Sequence, residues 1–298
     1  MSENEAPPFA PFVFRPPKKS WTIHIVLFVL TVITTTIAGA LIFVDQQHSD
    51  GWLSFFLRGF YFSIPLMSIL SVHEMGHYLV GRRRWLDVTP PYFIPAIPPL
   101  GTFGAFIKIR SAITNLRVLV EVGASGPIAG ACLAIPLLFF GLCLSEVRPD
   151  VAPATSGLEF GSSIILELLC LLRFGDFSFN TTIILHPTAV AAWFGLFVTA
   201  MNLLPIGQLD GGHVIFALFG PRIAQRISIV AFCLLIPLGI LLWPGWLMFA
   251  LLTLILGLKH PPPLDPYTPL DRTGRKLAWT AIALFVLTFI PIPVNVLA

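Results

Sequence analysis

Apolar stretches long enough to cross about 30 Å of hydrocarbon recur along the chain, at 21–44, 54–81, 118–143 and 186–204. A longer run, 227–258, is interrupted by Trp243-Pro244-Gly245-Trp246, which reads either as the turn of a helical hairpin or as a bend in one helix. A last run covers 277–297. The stretch 161–174 is apolar but too short to span comfortably, and it reads as an interfacial or partly inserted helix. The pattern predicts an all-α polytopic membrane protein with about 6–7 transmembrane helices.

Residues 89–110 depart from that pattern. They are apolar, yet five prolines forbid a regular helix. From Thr102 to Arg110 the segment partly alternates and is rich in aromatic and β-branched residues, as a strand would be. Unpaired backbone cannot face lipid, so the segment must be buried against protein, paired as a hairpin, or lining a wet cavity. A β-like loop dipping beside a site is the functional reading, and an interfacial loop the plain one.

The second apolar run contains His73-Glu74-Met75-Gly76-His77. Two histidines and a glutamate cost free energy in hydrocarbon, so their clustering within one span points to chemistry. On a helix, His73 and His77 share a face and can offer ring nitrogens to one metal ion. Glu74 is rotated by about a hundred degrees, still near enough to act on a water at that metal. The plain alternative is two buried histidines bonded to neighbouring helices.

A catalytic zinc usually takes three protein ligands and keeps one open position. The run from Thr199 to His213 ends the fourth span and offers a third ligand in Asp210. Pro205 and Gly207 break the helix before it, and Gly211 and Gly212 allow close backbone packing after it. His213 could also ligate, although a hydrogen-bonding role suits it better. Glu121 is placed to pair with Arg117 at i,i+4.

Composition agrees with a membrane setting: 56% of residues are hydrophobic and 11% charged, with a mean hydropathy of +0.85. A net charge of +3 gives no reason to expect nucleic acid. Four isolated cysteines, with no C-x-x-C pair, read as apolar fillers. Residues 1–20 mix acids and bases with Pro7, Pro8, Pro16 and Pro17, the composition of a disordered tail rather than a signal or transit peptide. With the N-terminus in the cytoplasm, fifteen of the eighteen Lys and Arg fall on the inside, given a hairpin at 227–258. The His-Glu-x-x-His segment then lies near the cytoplasmic end of its span.

His73-Glu74-x-x-His77 in one span and Asn202-x-x-Pro205-x-x-x-x-Asp210-Gly211 in a later one resemble the paired signature of the site-2 protease family of intramembrane zinc metalloproteases. Gly126-Pro127-Ile-Ala-Gly130 in the third span is similar to the small-residue core of that family. The resemblance covers about residues 54–215. It implies one Zn2+ held by His73, His77 and Asp210, with Glu74 as catalytic base. It also implies Asn202 as a polar group at the substrate. Residues 89–110 resemble the family's re-entrant β-loop, which makes Gly101, Thr102, Phe103 and Gly104 substrate-binding candidates.

No insertion is long enough for a PDZ domain and no nucleotide-sensing domain is expected, so the plastid and bacterial branch fits best. The expected organisation is a cytoplasmic tail (1–20), an appended span (21–53), the catalytic core (54–215) and appended C-terminal spans (216–298). The expected activity is hydrolysis of peptide bonds in or near the membrane segments of single-span protein substrates. The expected setting is a bacterial inner membrane, or a plastid membrane with the site facing the stroma. Two rivals are a zinc-free pseudoprotease that only binds membrane proteins, and a metal- or proton-coupled transporter. The first would lack a motif residue, and the second would spread its polar groups along a pathway or show an internal repeat.

Overall fold

The computed structural model describes residues 21–43, 51–97, 100–149, 157–175 and 181–297. The expected tail at 1–20 lies outside the described residues. The chain is mostly helical. Among the described residues four helices are long and apolar enough to cross a membrane: α1 (Thr22–Ile42), α2 (Trp52–Arg83), α3 (Leu116–Cys143) and α6 (Asp210–Leu241). The others are α4 (Ile164–Phe174), α5 (Pro187–Asn202), α7 (Gly245–Leu256) and α8 (Arg272–Thr288).

Small residues let the long helices approach. A Cβ on Gly59 of α2 would lie 2.2 Å from the carbonyl oxygen of Thr36 on α1, so only glycine permits that crossing. The hydroxyls of Thr35 and Ser63 join the same pair at 2.7 Å. Side-chain caps begin four helices: Asn115 for α3, Ser163 for α4, His186 followed by Pro187 for α5, and Asp271 for α8. The main core gathers Phe62, Leu66, Ile69, Leu138 and Trp193 from α2, α3 and α5. Large apolar side chains such as Ile240, Leu241, Met248 and Ile255 stand exposed on α6 and α7, as lipid-facing residues do.

Helix α6 is two segments. Gly220 has φ +74 and ψ 175, breaking the helix before Pro221. The chain then returns toward the start of α6, so that the Ser228 hydroxyl accepts from the N–H of Gly207 at 3.0 Å. The same hydroxyl donates to the Leu258 carbonyl at 2.8 Å. Gly239 packs directly on Leu247. Helix α7 therefore folds back along the second half of α6, which is the hairpin alternative for 227–258.

The predicted short helix at 161–174 is present as α4, with Leu166 and Cys170 buried. The chain is not purely helical, because among the described residues it forms three two-stranded antiparallel ribbons. Strands β1 (Tyr92–Pro95) and β2 (Thr102–Phe106) pair locally. Strands β3 (Glu146–Pro149) and β5 (Thr181–Ile184) pair with each other, and β4 (Gly157–Phe160) pairs with β6 (Val294–Leu297).

The β1–β2 hairpin runs alongside α1. His24 Nδ1 lies 3.0 Å from the Pro91 carbonyl, Phe28 meets Phe93 edge to face, and the Thr34 hydroxyl donates to the Gly101 carbonyl at 2.6 Å. At about 1.5 Å per residue, the turn end of the hairpin reaches about 18 Å along α1. Main-chain bonds continue the ribbon past β2, from Thr89 N–H to Lys108 and from Arg110 N–H to Asp87.

Candidate metal centre

Helix α2 places His73 and His77 on one face, with ring centroids 5.1 Å apart. Asp210 enters from the first turn of α6. It can do so because Gly211 and Gly212 lie against the carbonyls of Leu203 and Gly207, where a Cβ would come within 2.0 and 2.2 Å. Gly207 itself needs φ +52 to make the preceding turn.

Oδ2 of Asp210 lies 3.5 Å from Nε2 of His73 and 3.2 Å from Nε2 of His77. One ligand atom from each residue falls within 4.8 Å of the other two. Zinc–donor distances of about 2.0–2.2 Å in a tetrahedron separate neighbouring donors by about 3.3–3.6 Å, so the set fits one ion. Two imidazoles and a carboxylate are also donors that zinc accepts. His73, His77 and Asp210 are thus positioned to bind a metal ion.

Helix α3 shapes this centre through its backbone. His77 Nδ1 sits 2.7 Å from the Val122 carbonyl, which can only accept. The neutral ring must then carry its proton on Nδ1, leaving the Nε2 lone pair to face Asp210. Gly126 lies directly under the His77 ring and Gly130 beside His73. Gly76 packs on the Ser125 carbonyl in return. The small residues of the third span serve both helix approach and the orientation of His77.

Glu74 is buried, and Ile107, just beyond β2, lines the same cleft. Asn202, at the end of α5, brings Nδ2 to 3.2 Å from His73 Nε2. A cleft of about 200 Å³ opens onto Glu74, His77, Asn202, Asp210 and His213, with Ala105, Phe106, Ile107 and Ile109 along one wall. The hairpin residues at the cleft are therefore those after Gly104.

Gly101, Thr102, Phe103 and Gly104 do not line that cleft. Gly101 packs on Thr34 of α1 with φ +75, and the Thr102 hydroxyl accepts from the N–H of Gly104 and donates to the Ile94 carbonyl. Phe103 is exposed. The turn is taken up by α1, and the strand direction then carries the chain toward α2 only at Ala105–Ile107.

His213 stands outside the three-residue group. Its Nδ1 is 2.6 Å from Nε2 of His260, and Phe216 lies against the His260 ring. His260 had no role in the sequence reading; its only signal is a histidine set before Pro261-Pro262-Pro263. Glu121 pairs with Arg117 as anticipated, at 2.6 Å, and also with Arg84 at the end of α2. Arg117 reaches Asp271 as well, joining α2, α3 and the start of α8.

A family model for peptidase family M50 matches residues 61–242. The chain belongs to that family. It is 32% identical over 232 residues to the "Probable zinc metalloprotease EGY1, chloroplastic" of Arabidopsis thaliana, covering 76% of this chain and 42% of that protein. It is 35% identical over 185 residues to the "Probable zinc metalloprotease EGY2, chloroplastic" of Oryza sativa subsp. indica, covering 59% of this chain and 32% of that protein. The chain spans less than half the length of these curated relatives. No solved structure matches it. The family resemblance read from the motifs is thereby established.

Proposed function

We propose that this M50 member is an intramembrane zinc metalloprotease that hydrolyses peptide bonds within or beside the membrane segments of single-span proteins. The carrying observation is the His73–His77–Asp210 group, with both histidines buried and Asp210 partly so, held by spanning-length helices, with Glu74 on the same cleft. His73, His77 and Asp210 are the ligands. When bound, zinc polarises the scissile carbonyl and lowers the pKa of a coordinated water. Glu74 accepts the proton from the attacking water and returns it to the leaving amine.

Asn202 binds the substrate main chain. A ring nitrogen that coordinates an ion cannot also accept from an amide, so in the loaded enzyme the Asn202 side chain is free for a substrate carbonyl. A helical substrate hides its carbonyls in internal bonds and must be unwound before attack. The ribbon leading into Ala105–Ile107 offers main-chain donors and acceptors to hold it extended. Gly101–Gly104 act from behind by setting the ribbon's turn against α1.

The core is 54–215, with one appended span before it and the remainder of 216–298 after it. Six to seven crossings follow if α5, the second half of α6, α7 and α8 cross as short or tilted spans. The hairpin's course along α1 supports a re-entrant loop. The charge bias supports a cytoplasmic N-terminus and site in a bacterial inner membrane, or a stromal one in a plastid. The test is cleavage of a single-span model substrate by the full chain in proteoliposomes. Activity should require zinc and vanish on chelation and in Glu74→Gln. Cleavage that persists in Glu74→Gln overturns the reading.

A further inference from the structure

A second cavity, of about 400 Å³, lies on the other side of the Asp210-bearing segment. That volume is within the range of small-molecule sites. The break at Gly220 creates it, because the chain turns back there and leaves space between the two halves of α6 and the segment after α7. Arg222, Arg226 and Lys259 line it, and no carboxylate does. None of these three cations has an ion pair among the described residues. Arg222 and Arg226 are four apart and share a helix face.

Two further features favour negative charge. The helix restarts at Pro221, so the N–H groups of the next turn lack carbonyl partners within it, and the helix dipole adds positive potential. His260 lines the same cavity and is nine-tenths buried. Its Nδ1 is a buried polar atom with no hydrogen-bond partner. Unsatisfied buried polar groups are uncommon, and a bound water or ion is one of the explanations for them.

We propose that this cavity binds a phosphate-bearing anion, either the headgroup of an anionic phospholipid or a soluble phosphate compound. Arginine suits phosphate because its planar fork offers paired donors. The site is separate from the metal centre yet adjoins it. His260 in the cavity wall is bonded to His213, which lines the catalytic cleft. Ile223, Ile229 and Val230 on the same segment are exposed, so an acyl chain has an apolar surface to follow.

Isothermal titration of the full chain in neutral detergent, with dihexanoyl phosphatidate and separately with inorganic pyrophosphate, tests the site. Saturable one-to-one binding is expected. It should weaken at least tenfold in Arg222→Gln/Arg226→Gln and stay unchanged in Arg82→Gln/Arg83→Gln, whose cations lie at the end of α2 outside the cavity. Lys259→Gln, on the segment after α7, should weaken binding independently, and it decides the matter if the double variant does not fold. Tighter binding of phosphatidate assigns a lipid headgroup, and tighter binding of pyrophosphate assigns a soluble ligand. No saturable binding of either probe, or equal loss in the Arg82/Arg83 control, overturns the proposal in favour of diffuse surface charge.

Discussion

A Cβ on Gly126 would lie 2.0 Å from Nε2 of His77, the ring nitrogen that faces Asp210. The contact is with the nitrogen assigned to the metal, so Gly126→Ala must move the ring or push α3 away from α2. Metal affinity should fall by roughly ten- to a hundredfold, the range seen when groups orienting a ligand are disturbed. Gly130→Ala should be milder, because its Cβ would meet His73 Nδ1 at 3.1 Å. Zinc content after dialysis, measured on both variants, checks the order of effects.

Glu74 and the three proposed ligands should separate by metal content. Glu74→Gln keeps the size of the side chain and removes the base, so cleavage should fall by about 10²–10⁴-fold with zinc near one per chain. His73→Ala, His77→Ala and Asp210→Asn should each lower zinc occupancy, since each removes or weakens a direct contact. Full zinc retention in Asp210→Ala would nominate another residue, with His213 the first to examine.

The sequence made the metal group readable because its chemistry is local. His73 and His77 are one helical turn apart, and Asp210 is an isolated acid where a span ends. The orientation of His77 was not readable, since it depends on a main-chain carbonyl at Val122, which any residue supplies. The break at Gly220 was equally hidden, because a glycine before a proline reads as a loop as easily as a sharp reversal. Strands β3 to β6 pair segments as distant as 157–160 and 294–297, and such pairing leaves no local signal. That Ala105, Phe106 and Ile107, rather than Gly101–Gly104, line the cleft is hidden for a related reason. Composition marked the hairpin, but only packing on α1 fixed where its turn ended.

Burial lowers the pKa of His260 from its ordinary value of 6.5. The unfolded chain therefore takes up a proton near pH 6.5, while the folded chain resists until lower pH. Stability from this group is full above about pH 6.5 and declines as pH falls through that value toward the folded pKa. Thermal unfolding in detergent should shift downward between about pH 7.5 and 5.5, and His260→Gln should lessen that dependence. An unchanged slope in the variant would show that other groups control it.

The hairpin prediction follows from which of its N–H groups are already committed. Within β2, Phe106 pairs with Tyr92 and Ala105 with Phe93, so proline there should disturb the ribbon itself. Gly104 has φ +96, which proline cannot adopt, and its N–H is held by Thr102. Proline at Gly104 should therefore lower folding yield before it tests substrate binding. Ile107 differs, because it lies just beyond β2 and lines the same cleft as Glu74. Ile107→Pro should cut cleavage by tenfold or more with zinc content and thermal stability near wild type, while Ile107→Ala, which keeps the N–H, should lose much less. Gly104→Ala lacks any steric neighbour within 4 Å, so its effect should come from the positive φ alone and appear as a modest loss of stability, about 1 kcal/mol. Equal activity in Ile107→Pro and Ile107→Ala would mean that the ribbon supports the cleft without its main chain taking part there.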